Sequence, residues 1–153
     1  MESISKKSSN SFQCVDALEV SLSIEKQGFI YYDKAAKSAT DPRVRAIFLR
    51  LANEEKDHIQ SLQNKARFLK PALANRAKSQ TSRTKSFIEN EIHGKVFPAS
   101  RDFENESSAV KSDIEALSIG IDAEIKSIEL LSQLIASEKK MDVRVIFNHL
   151  LAE

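Results

Sequence analysis

The chain predicts an all-α fold: a four-helix bundle made of two repeated helical hairpins joined by a long crossover. Three observations predict it. Breakers are scarce, with three Gly and three Pro in 153 residues. Apolar residues recur at steps of three and four over long segments, the spacing of one helical face. The two halves also repeat each other. Ala17-Leu18 returns as Ala116-Leu117, Glu25 as Glu124, Val44-Arg45 as Val143-Arg144 and Ile47-Phe48 as Ile146-Phe147. Leu51 returns as Leu150 and Glu54 as Glu153, all at one ungapped offset (116 − 17 = 99).

The elements follow in order. Residues 1–11 are polar and serine-rich and read as a flexible N-terminal tail, leaving 12–153 as one domain. A first helix runs from about Val15 to Ser38. Thr40-Asp41-Pro42 ends it, with Asp41 placed to cap a second helix and Pro42 at that helix's first position. The second helix runs toward Lys70 and stops before Pro71, so hairpin one spans about 15–70. The crossover, about 71–107, holds one short helix near Arg83 to His93, ending at Gly94. Hairpin two, about 108–153, has a third helix from Ser108 to Glu138 and a fourth that starts near Met141.

Composition excludes several classes. Apolar residues make up 41% and charged residues 29%, a globular balance. Net charge of +1 gives no gross pull toward nucleic acid or membrane. The basic stretch from Arg67 to Lys85 has Phe68 as its only aromatic and reads as a solvated face. No run of 18 apolar residues spans a bilayer. The first ten residues lack the apolar region of a secretory signal, and the single cysteine, Cys14, fits a cytoplasmic location. One cysteine builds neither an internal disulfide nor a rubredoxin-type iron site. Cys14 itself reads as a small apolar residue.

The chemistry lies in the helical stripes. The first helix presents Leu18, Leu22, Glu25, Phe29, Tyr32 and Ala36. The second presents Val44, Ile47, Phe48, Leu51, Glu55, His58 and Leu62. The third presents Ile114, Leu117, Ile121, Glu124, Ile128, Leu131 and Ile135. Three glutamates and a histidine thus interrupt apolar seams. An unpaired carboxylate in a core costs several kcal/mol, and the stripes offer no Lys or Arg in compensation. Metal cations are the economical neutraliser. Oxygen donors with an imidazole suit iron or manganese and accept zinc. Alone, Glu25 reads equally well as a boundary residue that snorkels. Glu55 and His58 are more specific, because Glu-x-x-His places both side chains on one face. His149 and His93 read as surface or capping residues.

Residues 17–58, with Ala-Leu-Glu-Val-Ser-Leu-Ser-Ile-Glu-Lys-Gln-Gly-Phe-Ile-Tyr-Tyr and then Asn-Glu-Glu-Lys-Asp-His, resemble the rubrerythrin family of ferritin-like proteins. Residues 116–153 resemble the second hairpin of that fold, and Val96-Phe97-Pro98 resembles its crossover. The resemblance implies a ferritin-like bundle holding two iron ions that react with hydrogen peroxide or dioxygen. By resemblance Glu25, Glu55, His58 and Glu124 are metal ligands, and Tyr32 either supports the site by hydrogen bonding or is a core aromatic. Two departures stand beside it. The offset sends Glu55 and His58 to positions 154 and 157, past Glu153, so a second Glu-x-x-His is missing. The fourth helix therefore reads as truncated and a homodimer is expected; the alternative function is a non-catalytic metal-binding or helical interaction protein with an incomplete site. The chain also lacks Cys-x-x-Cys pairs, so the electron donor is expected to be a separate protein.

Overall fold

The computed structural model describes residues 13–67, 78–98 and 112–152, with the side chains of residues 149 and 150 outside that set. The N-terminal tail, most of the crossover's flanks and Glu153 lie outside the described residues. Five α-helices occur among them and no strand: α1 (Cys14–Ser38), α2 (Pro42–Arg67), α3 (Lys78–Phe87), α4 (Asp113–Ser137) and α5 (Met141–Ala152). The arrangement is the all-α, ferritin-like bundle expected from the sequence.

Each helix end has a local cause. Asp16 Oδ2 accepts the Gln13 N–H at 2.8 Å, one turn back, and opens α1. After Ala39 the chain is extended, and Asp41 Oδ1 accepts the Arg43 N–H at 2.8 Å to cap α2. The Arg43 guanidinium, 3.1 Å away, adds its charge and holds the Asp41 carboxyl below the usual range. Ser112 caps α4 by accepting the Glu115 N–H at 3.1 Å. The buried Glu138 carboxylate accepts the N–H groups of Lys139 and Lys140 and leads into α5.

The crossover helix begins earlier than its periodicity predicts, at Lys78 rather than Arg83. It passes into a π-helical turn, Ile88–Ile92. Gly94, at φ 70°, then reverses the chain and delivers Val96 and Phe97 to the core. Thr84 Oγ1 donates to the buried Asp16 Oδ1 at 2.9 Å and fastens α3 to the start of α1.

Helix α1 is the central element and packs against each of the others. Its buried face is accordingly wide, running from Val15 through Ala36. Two apolar clusters flank its midpoint. One gathers Tyr31, Tyr32, Phe48, Phe97 and Ala123. The other gathers Val20, Ile24, Ile92, Leu131, Val143 and Phe147. The repeat shows here in three dimensions: Phe48 and Phe147, one offset apart, are both fully buried, each worth about 2–3 kcal/mol of burial.

Two stripes need correction. On α4 the buried face is Ala116, Gly120, Ala123, Ser127, Leu131 and Leu134. It lies one residue from the predicted set at most of these positions, and Ile114, Ile121 and Ile128 are exposed at 80%, 63% and 51%. Small side chains explain the rotation. Ala116, Gly120 and Ala123 let the Tyr31 and Tyr32 rings lie against α4, where isoleucines would hold the helices apart. On α2, Ile47 is exposed and Ala52 is buried in its place beside Phe48.

Candidate metal centre

Helical periodicity and one hairpin bring three donors together. Glu25 sits halfway along α1, between the two apolar clusters, and is buried. Glu55 and His58 sit one turn apart on the facing side of α2. His58 Nδ1 lies 3.1 Å from Glu25 Oε2 and 3.8 Å from Glu55 Oε2. Each of the three offers one ligand atom, and these atoms all lie within 4.8 Å of one another.

The three donors open onto a cavity of about 350 Å³. Glu54 and Glu124 also line it, so four carboxylates and one imidazole share its wall. Leu51, Ile128, Leu131 and Leu151 supply its apolar surface. No Lys or Arg lines it among the described residues. Arg50 pairs with Glu54 at 3.0 Å and offsets that one carboxylate, while Lys56 lies over the Phe29 ring at 5.2 Å. A pocket that pairs this apolar surface with a cluster of carboxylates suits a bound divalent cation. The donor set, oxygen-rich with one imidazole, fits iron.

Glu124 takes a different position from the other three predicted ligands. It is on the solvent side of α4, faces the same cavity, and accepts the Tyr32 hydroxyl at 2.5 Å. The structure thus brings Glu25, Glu55 and His58 into one group and leaves Glu124 outside it, lining the same cavity from α4. Tyr32 is both core aromatic and hydrogen-bond donor, so its two readings coexist. Its hydroxyl is pushed well above the ordinary range, first by burial and then by the Glu124 carboxylate. Tyr31 donates to the Ala116 carbonyl at 2.6 Å, and burial raises it too.

An aromatic cluster packs beside Gly28 and Glu55. Phe97 packs at 5.7 Å from the Tyr31 and Tyr32 ring centroids, and Phe48 stacks on Tyr32 at 6.2 Å. Sequence periodicity missed two contributors. Ser127, one turn from Glu124, lines the cavity. Gly28, one turn from Glu25, leaves the α1 backbone bare beside the Glu55 carboxylate. Their spacing from the glutamates, i+3 on the same face, was the available signal. His93 caps the π-helical turn and is exposed, as its position predicts. The His149 side chain lies outside the described residues.

A bundle of antiparallel helices carrying carboxylates and an imidazole at mid-length defines a helical protein with a candidate metal site. The chain belongs to the rubrerythrin family, whose family model matches residues 16–153. No curated protein and no solved structure gave a match. Membership points to iron binding at a di-iron type of centre. No described helix is long and apolar enough to cross a membrane.

Proposed function

We propose that this chain is an iron-binding, rubrerythrin-like di-iron protein that reacts with hydrogen peroxide or dioxygen, in oxidative-stress defence or iron detoxification. One observation carries the proposal: Glu25, Glu55 and His58 converge on a cavity lined by further carboxylates and by no Lys or Arg among the described residues. Glu25, Glu55 and His58 would hold the metal, with Glu124 as the fourth ligand from α4. Iron, when bound, supplies the electrons for reducing the oxidant. Manganese and zinc are candidate substitutes at the same donors.

The protein's own groups do the rest. Tyr32 keeps its proton and directs it at Glu124 Oε1, which fixes the orientation of that carboxylate. Leu51 and Leu131 set apolar surface beside the donors. Phe97 and Gly28 shape the space occupied by Glu55. A separate electron-donor protein and a homodimeric state, in the cytoplasm, belong to the same proposal.

The test is iron retained per chain after anaerobic ferrous loading and desalting, followed by peroxide consumption. The expected result is retained iron and consumed peroxide in the native chain, with both lost in Glu25→Gln, Glu55→Gln and His58→Ala. A native chain that emerges iron-free sinks the proposal. A second reading, metal held without turnover, draws on Glu124 standing apart from the converging trio. Retained iron with no peroxide consumed selects that reading.

A further inference from the structure

The role of Gly28 rests on the iron reading above and deepens it at one position. Gly28 lies one turn beyond Glu25 on the buried face of α1. Glycine is a poor choice in a helix interior, where alanine is the better former. The reason for it is visible in its neighbours. A Cβ at Gly28 would lie 3.2 Å from Phe97 Cζ and 3.3 Å from both Cδ and Oε1 of Glu55. Ordinary carbon contacts run at about 3.5–4.0 Å. The Glu55 carboxylate therefore rests on bare α1 backbone beside the Phe97 ring.

These two neighbours differ in how they can yield. Phe97 is buried and wedged against Tyr31 and Tyr32, with both ring centroids at 5.7 Å. The Glu55 carboxylate ends a flexible chain and faces the cavity. A side chain at position 28 would displace the carboxylate before the ring. The geometry points to Gly28 as a positioning residue: its missing side chain sets where the Glu55 carboxylate lies relative to Glu25 and His58, and so how tightly the site holds a divalent ion. Gly120 is a matched control, because a Cβ there meets Tyr32 Cε1 at 3.5 Å and Tyr31 Cε1 at 3.7 Å, ordinary contact away from the carboxylates.

The experiment measures ferrous affinity of the full chain, anaerobically, by competition with a coloured chelator, beside thermal melting of the metal-free protein. Gly28→Ala is expected to weaken binding about tenfold, the scale of an outer-shell change, while metal-free melting stays level or rises. Gly120→Ala is expected to bind as the native chain does. Gly28→Ala with Phe97→Leu, which opens room on the ring side, is expected to recover affinity toward that of Phe97→Leu alone. Should Gly28→Ala alone not fold, the double variant carries the measurement, and affinity equal to that of Phe97→Leu supports the role. Native affinity in Gly28→Ala overturns the inference, as does a loss matched by lower metal-free melting and unrelieved in the double variant. If the native chain binds no iron, the iron reading fails. If the native chain binds, Glu55→Gln does not and Gly28→Ala is unaffected, only the role of Gly28 fails.

Discussion

Tyr32 on α1 donates its hydroxyl hydrogen to Glu124 on α4 at 2.5 Å, joining the two halves of the repeat beside the candidate metal cavity. The repeat is asymmetric here: Glu25 is buried among donors, whereas its counterpart Glu124 is exposed and held by the hydroxyl of a buried phenol. Tyr32→Phe removes that donor and keeps the ring. The expected cost is about 1 kcal/mol in urea unfolding, with weaker iron retention than in the native chain. Unchanged iron retention would separate Tyr32 from the site.

The two tyrosines of the chain are Tyr31 and Tyr32. Both hydroxyls are raised above the ordinary value of 10.0, in each case chiefly by burial. The folded state therefore holds these protons more tightly than the unfolded state does. Their contribution to stability is complete below pH 10 and is lost as pH rises beyond it. Tyrosinate absorbance is expected to appear together with alkaline unfolding. A tyrosinate signal near pH 10 with helical circular dichroism intact would contradict the burial argument.

Thr84 and Asp16 form the buried polar tie between the crossover helix and α1. Thr84→Val keeps the shape and removes the donor to Asp16 Oδ1. A loss of about 1–3 kcal/mol is expected from chemical denaturation. Native stability in this variant would mean that α3 is held by apolar packing alone.

The Cys14 thiol is pushed up to about 11, first by burial and then by its hydrogen bond to Asp142 at 3.2 Å. At neutral pH it is protonated and slow toward alkylating reagents. Asp142→Asn removes the negative neighbour, so the thiol pKa falls and alkylation at pH 8 speeds up. A rate equal to the native one would leave burial as the whole cause.

Gly94 stands at φ 70°, and a Cβ at this position would meet no heavy atom within 4 Å, so backbone conformation alone selects glycine. Gly94→Ala is expected to cost about 1–2 kcal/mol, and Gly94→Asn less. Equal losses in the two variants, followed by thermal melting, would point away from the left-handed backbone as the cause.

The bundle was legible because helical period and internal repeat are long-range patterns that few alternatives share. Glu25, Glu55 and His58 were legible because charged residues at the centre of apolar stripes are conspicuous. The buried face of α4 was not. Ala116, Gly120 and Ser127 carry little hydropathy, while the isoleucines beside them carry much, so hydropathy marks the wrong side of a closely packed helix. Gly28 was marked only by its i+3 spacing from Glu25, because its contribution is the volume it does not fill. The Asp16–Thr84 tie spans 68 positions, and no local pattern announces such a pairing.

The three converging donors come from one hairpin, with 33 positions between Glu25 and His58, whereas the Tyr32–Glu124 link spans 92. Loop-closure scaling makes the longer link about 1 kcal/mol costlier in chain entropy. In folding time, the α1–α2 hairpin can gather the donors before α4 and the crossover arrive to wall them in. During that interval the donors stand in water, open to any cation that carboxylates and imidazole accept. A metal held at these donors would then be chosen partly by timing: which ion is present before Leu131 and Leu151 of the second hairpin cover the cavity.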